Sequence, residues 1–153
     1  MRFLNSRERK AFIKQLQEQY GYEKDTDYLI CELGKNKYYF FSPDVAAVDL
    51  HALRPQHIGL YVANTMKTEI RLTIDGAHLL AGACSHERIE LTAQQMEEWM
   101  GGDDVQMSEQ ETPFRIVEHQ GTILGCGKIK DGYLLNYVPK GRRIQEFHSS
   151  SPT

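Results

Sequence analysis

The residues best suited to binding a ligand lie between positions 119 and 143, where cations alternate with glycines and with apolar, strand-forming residues. Glycine permits tight turns and a close approach of the backbone to a ligand. Lysine and arginine bind phosphate groups, tyrosine stacks on exposed bases, and asparagine hydrogen-bonds to base edges. The pattern therefore predicts an RNA-binding surface of modest affinity. Its members are Lys128, Lys130, Tyr133, Asn136, Tyr137, Lys140, Arg142 and Arg143.

The net charge of −3 is unfavourable for a protein that binds nucleic acid through bulk charge alone. The charge is unevenly distributed: residues 87–118 contain nine acidic and two basic residues, whereas residues 119–153 contain five basic and two acidic residues. A chain with one positive face would show this segregation, and so would a chain with two ordinary solvated surfaces. The sequence leaves both interpretations open.

Common catalytic and metal-binding motifs are absent from the sequence. It has no glycine-rich phosphate loop, no Gly-x-Ser-x-Gly elbow and no His-Glu-x-x-His pair. Cys84 and His86, with His78 nearby, match the spacing of no standard zinc site. Cys126 lies between two glycines and is interpreted as a small packed residue rather than a reactive thiol. We therefore expect no metal, no cofactor and no enzymatic activity.

The composition is that of a soluble globular protein, with 41% hydrophobic and 25% charged residues. No apolar run approaches the roughly 20 residues of a membrane span, and the N-terminus lacks the apolar core of a signal peptide. Three scattered cysteines do not indicate a disulfide framework. These features predict a cytoplasmic protein without a membrane partner.

The elements that must position these residues begin with a predicted helix over residues 6–20. Its apolar residues recur every three or four positions and form one stripe. Asn5 and Glu8 have the spacing of a capping box, and Gly21 is the expected end of the helix.

Strand patterns follow this helix. Residues 28–33 and 37–41 predict a hairpin, whose aromatic second strand is interpreted as core rather than as a base-stacking surface. Residues 69–74 alternate between polar and apolar, as in a half-buried strand, while residues 57–66 fit either a strand or a short helix. Further predictions are strands at 114–118, 122–124 and 133–138, a loop at 103–113, short helices at 45–50 and 75–82 (the second capped by Asp75 and ended by Gly82), and a frayed tail at 148–153.

The clearest local signal is a short amphipathic helix that begins after Thr92. Gln95 stands three residues further on and can return the capping hydrogen bond. Trp99 is expected on the inner side of this helix, and Gly101 is expected to end it in the left-handed conformation.

Two segments, residues 90–105 and 120–143, resemble a known family. The shared features are Leu-Thr before the helix, Glu-Glu-Trp within it, a glycine followed by Asp-Val, then Leu-Gly-x-Gly-Lys, and Leu-x-Asn-Tyr-x-Pro-Lys before an arginine. The segments are similar to the C-terminal PUA-like RNA-binding domain of RsmF-type (Sun-family) RNA cytosine-5 methyltransferases. The resemblance implies a β pseudobarrel that binds structured RNA, either ribosomal or transfer RNA, in ribosome biogenesis or RNA modification.

The expected fold class is α+β. A small N-terminal α/β unit is expected over residues 1–67, a PUA-like β pseudobarrel with short helices over residues 68–147, and a flexible tail over residues 148–153. The layout is similar to that of ribosome-biogenesis factors that carry a pre-PUA module.

The resemblance also implies which residues serve RNA binding. Seven positions match the family motif, and we assign its glycines and proline to backbone shape and its cations to phosphate. They are Gly125, Gly127, Lys128, Asn136, Pro139, Lys140 and Arg143. Arg71, Lys130, Tyr137 and Arg142 complete the expected RNA-binding set.

The catalytic features of these methyltransferases have no counterpart in the sequence. Their nucleophilic cysteine follows a proline, whereas the cysteines of this chain follow Ile30, Ala83 and Gly125. We therefore expect a stand-alone RNA-binding protein, with a separate RNA methyltransferase as a second candidate partner. The alternative is a protein-interaction adaptor without RNA contact, whose acidic segment 97–111 binds a basic partner.

Overall fold

The computed structural model describes residues 2–24, 26–43 and 59–144, and the structural statements below concern these residues. They form three helices, α1 (Ser6–Tyr20), α2 (Ile74–Leu80) and α3 (Ala93–Met100). The strands are β1 (Arg2–Phe3), β2 (Leu29–Leu33), β3 (Lys37–Phe41), β4 (Leu60–Met66), β5 (Glu69–Leu72), β6 (Ile89–Glu90), β7 (Val105–Gln106), β8 (Arg115–His119), β9 (Thr122–Gly127), β10 (Ile129–Lys130) and β11 (Tyr133–Leu134). The predicted helix at 45–50 and the predicted tail at 148–153 lie outside the described residues. The mixture of helices and mostly antiparallel strands confirms the α+β class.

The first five strands form one antiparallel sheet in the order β1-β2-β3-β4-β5. The predicted hairpin is β2 with β3, and its turn contains Gly34 and Asn36 in the left-handed region, with φ of 62° and 69°. The undecided segment 57–66 contains the strand β4. The predicted strand at 69–74 is β5, but it ends at Leu72. Phe40 and Phe41 are buried, which confirms that the aromatic strand belongs to the core.

Helix α1 packs against this sheet through a buried stripe that includes Leu16 and Tyr20. Its N-terminus is the predicted capping box. The Glu8 amide donates to the Asn5 side chain at 2.9 Å, and the Asn5 amide donates to the Glu8 carboxylate at 3.0 Å. The helix ends as predicted at Gly21, whose φ is 71°.

Beyond α2 the chain forms two small sheets of three strands each. In one, β6 lies parallel to β8, and β8 lies antiparallel to β9. In the other, β11 lies between β10 and β7, and both pairs are antiparallel. Helix α3 begins with the predicted capping box of Thr92 and Gln95, and it contributes Trp99 and Met100 to the cluster shared by the two sheets. None of the three described helices is long and apolar enough to cross a bilayer.

The predicted ends of α2 are wrong. The helix begins at Ile74, and its N-cap is Thr73 rather than Asp75, because the Thr73 hydroxyl accepts the amide hydrogen bond of Gly76 at 2.8 Å. The predicted stop at Gly82 is not observed either, since a 3-10 turn continues the chain through this residue.

Three further predictions around the C-terminal sheets need correction. Helix α3 does end at Gly101, but with φ of −80°, and the left-handed residue is Gly102, with φ of 109°. The predicted loop at 103–113 contains β7, which pairs with β11. The predicted strand at 133–138 ends at Leu134. Beyond it, the Asn136 amide donates to the Asp104 carboxylate at 2.7 Å instead of to a neighbouring strand.

Buried side chains form two clusters. The first joins α1 and the five-stranded sheet to Phe114, which precedes β8, and to Ile116 and Cys126 of the C-terminal strands. The second surrounds Trp99 between the two small sheets. The predicted domain boundary near residue 67 falls in the turn between β4 and β5, and the division into two domains stays a prediction.

We predict that Gly76→Ala destabilises the protein, because α2 lies directly on the backbone of β4. A Cβ at this position would lie 2.0 Å from the Val62 carbonyl oxygen, so helix and strand would have to separate. Overpacking of this kind costs roughly 1–3 kcal/mol and sometimes more. Urea denaturation should show a lower midpoint. The matched control is Gly82→Ala, where no atom lies within 4 Å of the added Cβ; an equal loss in both variants would contradict the packing explanation.

Candidate functional site

Strand β9 carries the two glycines of the predicted site into the core. Both are buried, and both face the indole ring of Trp99. A Cβ at Gly125 would lie 3.3 Å from the Ile74 side chain and 3.5 Å from Trp99. A Cβ at Gly127 would lie 2.9 Å from Leu134 and 3.2 Å from Trp99. The glycines therefore make room for the tryptophan, which supports their assignment to backbone shape.

The Asn136 side chain, a predicted base-reading group, is occupied by the fold. Its Nδ2 donates to the carbonyl oxygens of Trp99 at 2.6 Å and Asp103 at 2.8 Å. Its Oδ1 accepts from the Val138 amide at 2.9 Å. Because the side-chain amide has only two N–H donors, both are used within the protein. Contact between Asn136 and RNA stays a prediction. Such a contact would use the one lone pair that remains on Oδ1.

Four side chains from distant parts of the chain stack into what we call the aromatic column: Lys128, Phe114, Tyr137 and Arg71. The Lys128 Nζ lies 4.9 Å from the centre of the Phe114 ring. The Phe114 and Tyr137 rings meet edge to face at 5.2 Å, and the Arg71 guanidinium lies 5.2 Å from the centre of the Tyr137 ring. Cation–π contacts of this length stabilise an exposed pair by about 0.5–1 kcal/mol. The column brings three predicted site residues together on one side of the molecule.

Carboxylates that were not among the predicted site residues neutralise two of the predicted cations. Lys128 forms an ion pair with Glu69 at 2.9 Å, and Arg142 forms one with Asp75 at 3.3 Å. The second pair is about half exposed on both sides, so it contributes little to stability. The alternating pattern of residues 69–74 already placed Glu69 and Arg71 on the same polar face, but nothing in the sequence pointed to Lys128 as a partner.

A cleft of about 150 Å³ opens beside the aromatic column, between β5, the start of α2 and the segment after β11. Arg71, Tyr137 and Arg142 of the predicted set line it, together with the carboxylate of Asp75. Within the described part of the chain, the Arg71 Nε is the one buried side-chain nitrogen or oxygen without a hydrogen-bond partner. Two arginine side chains in one cleft suit an anion, because guanidinium groups donate several hydrogen bonds to carboxylates and phosphates.

The remaining predicted cations differ in exposure. Lys130 and Lys140 are exposed to solvent, as is Arg142. Arg143 is half-buried, and its Nε donates to the Val138 carbonyl oxygen at 3.2 Å. The sequence could not distinguish between exposed cations and cations held by internal partners.

The thiols fit structural rather than catalytic roles. Cys126 is buried and lies 3.2 Å from the Tyr20 hydroxyl, and burial raises the pKa of its thiol to about 11. Burial likewise raises the pKa of Cys84 to about 11. A thiol with such a pKa is protonated at neutral pH and is a weak nucleophile. No group of three or more His, Cys, Asp or Glu side chains in the described residues could hold a metal ion.

A comparison with protein families identifies one match. Residues 86–144 match the family model for the PUA domain of the methyltransferase RsmF. The match spans both small sheets and α3, and it contains every predicted RNA-binding residue except Arg71. No curated protein matches the chain.

We predict that Asn136→Ala lowers the free energy of unfolding by roughly 1–3 kcal/mol, because it leaves partly buried backbone groups without their partner. Thermal denaturation measures the loss. Gln110→Ala is the matched control, since it removes an exposed amide side chain. Unchanged stability of the Asn136 variant would contradict the structural role described for this residue.

Proposed function

We propose, from the premise that residues 86–144 are a PUA-like domain of the RsmF type, that this protein binds structured RNA. The family match carries the proposal, because this domain family is associated with RNA binding. The chemistry of the described surface supports it, since exposed cations and an arginine-lined cleft lie within or beside the matched residues. We propose no catalytic role for these residues.

The proposed phosphate-binding surface is the rim of the cleft. Arg142 and Pro139 line the cleft, and Lys140 lies between them on an exposed 3-10 turn. Arg71 offers a guanidinium from the opposite side, already oriented by the Tyr137 ring. Fixed guanidinium groups bind phosphate with geometric specificity, while lysine contributes mainly charge.

We propose ribosomal or transfer RNA in the cytoplasm as the target, in ribosome biogenesis or RNA modification. The proposal rests on the RsmF type of the domain. Crosslinking in cells, followed by sequencing of the bound RNA, identifies the target directly. Recovery of messenger RNA alone would contradict this choice of target while leaving RNA binding intact.

We predict that the double variant Lys140→Glu/Arg142→Glu binds a structured RNA much more weakly than the wild type. Both side chains are exposed, and the half-exposed ion pair of Arg142 with Asp75 contributes little to stability, so the fold should tolerate the change. Each lost phosphate contact should lower the slope of log K against log salt by about 1. Fluorescence anisotropy over a series of salt concentrations measures both quantities.

The matched control is Lys10→Glu/Lys14→Glu, which changes the net charge equally on the exposed side of α1. It should leave affinity and salt slope nearly unchanged. Equal losses in both double variants would indicate bulk charge rather than a defined surface. Lys128 and Arg143 are unsuitable for this test, because each has an internal partner whose loss would affect the fold.

A second candidate function is suggested by a groove of about 480 Å³ in which four glutamates outnumber two arginines. The lining residues with charge are Glu87, Glu90, Glu109, Glu111, Arg88 and Arg115. In this alternative the protein is an adaptor that binds a basic surface, such as that of a separate RNA methyltransferase, without touching RNA. Pull-down after nuclease treatment distinguishes the two functions. Partner proteins that remain bound, together with no RNA affinity of the purified chain, would favour the adaptor.

A further inference from the structure

The outer face of the sheet β10-β11-β7 presents a short row of exposed side chains. Lys130 pairs with Tyr133 across β10 and β11, and Tyr133 pairs with Gln106 across β11 and β7. Directly paired residues lie side by side on the same face of a sheet, with strands about 4.8 Å apart. All three residues are exposed. We call this set the platform row.

The opposite face of the same sheet is closed to solvent. The neighbouring residues Ile129, Leu134 and Val105 pair with one another and are buried, with at most 2% of each side chain exposed. Because side chains alternate between the faces of a strand, this burial fixes the platform row outward. Tyr133 is 45% exposed, so much of its ring is open to solvent.

The backbone holds the platform row rigidly. Asp131 and Gly132 connect β10 to β11 with φ of 53° and 82°, the signs required for a tight type I′ hairpin turn. The Gly132 carbonyl oxygen accepts from the Met107 amide at 2.8 Å, which ties the turn to the end of β7. The backbone therefore places Lys130 and Tyr133 next to each other before any ligand arrives, so binding requires no rearrangement of the sheet.

We propose that the platform row binds one unpaired nucleotide of an RNA. Tyr133 stacks on the base, Lys130 contacts the adjoining phosphate, and the Gln106 amide hydrogen-bonds to the base or the sugar. A base in a duplex has both faces covered, so the site selects RNA in which a nucleotide is bulged or left single-stranded. This inference rests on the proposed RNA-binding function and gives it a defined preference.

The test uses two labelled, blunt-ended RNA duplexes that differ only in a single bulged nucleotide. The wild-type protein should bind the bulged duplex more tightly. Tyr133→Ala should weaken binding to the bulged duplex by roughly 5- to 150-fold, the range found for loss of one base–aromatic stack, and should leave binding to the fully paired duplex unaffected. Tyr133→Phe keeps the ring face and should bind both duplexes as the wild type does.

Leu79→Ala is the matched control, because it removes a comparably exposed apolar side chain from α2. It should change neither affinity. If Tyr133→Ala binds both duplexes like the wild type, the platform row is not the nucleotide site, although RNA binding stands. If the wild type binds neither duplex at low salt, the proposed function itself fails.

Discussion

Burial of the Trp99 indole ring is the constraint on which the C-terminal half of this molecule depends. The ring is 1% exposed, and its Nε1 donates to the Leu135 carbonyl oxygen at 3.1 Å. Gly125 and Gly127 leave the space that it fills, and Asn136 binds its backbone carbonyl oxygen. The burial of this one large side chain thus explains why β9 contains glycines and why β11 is short. The same ring reaches the wall of the cleft, so the core and the candidate site share a boundary.

The N-terminal half is fastened to this arrangement through polar contacts as well as through a common apolar cluster. The Gln19 side chain donates to the carbonyl oxygens of Ile70 at 2.8 Å and Phe114 at 3.2 Å. The Arg115 guanidinium donates in turn to the Gln19 carbonyl oxygen at 2.6 Å. Helix α1 therefore helps to position Phe114, the second member of the aromatic column. A substitution in this helix can therefore shift the proposed RNA surface, although the helix is not part of that surface.

The features that the sequence predicted correctly are mostly local, whereas its errors include local details, such as the N-cap of α2, as well as long-range pairings. Capping boxes at Asn5 and Thr92 depend on residues three positions apart, so they can be read directly. Gly101 and Gly102 both follow α3, and nothing in the sequence indicated that Gly102 rather than Gly101 takes the left-handed conformation. The pairing of Lys128 with Glu69, 59 positions earlier, is a consequence of the fold and has no local signature. The residue types of the candidate site were thus predictable from the sequence. Whether each side chain is free to bind a ligand was not.

The ion pairs Lys128–Glu69 and Arg142–Asp75 have a consequence for selectivity if the protein binds RNA as proposed. Each carboxylate is held at its cation by the fold, so it is present at a high effective concentration. A single free phosphate or mononucleotide must displace one carboxylate to form one contact with a cation, so its net gain in binding free energy is small. A polyanion that presents several phosphates at once displaces both and shares the loss of translational freedom among its contacts. Under the proposed function, these two carboxylates would disfavour the binding of abundant small anions and would leave the surface open to a nucleic-acid chain.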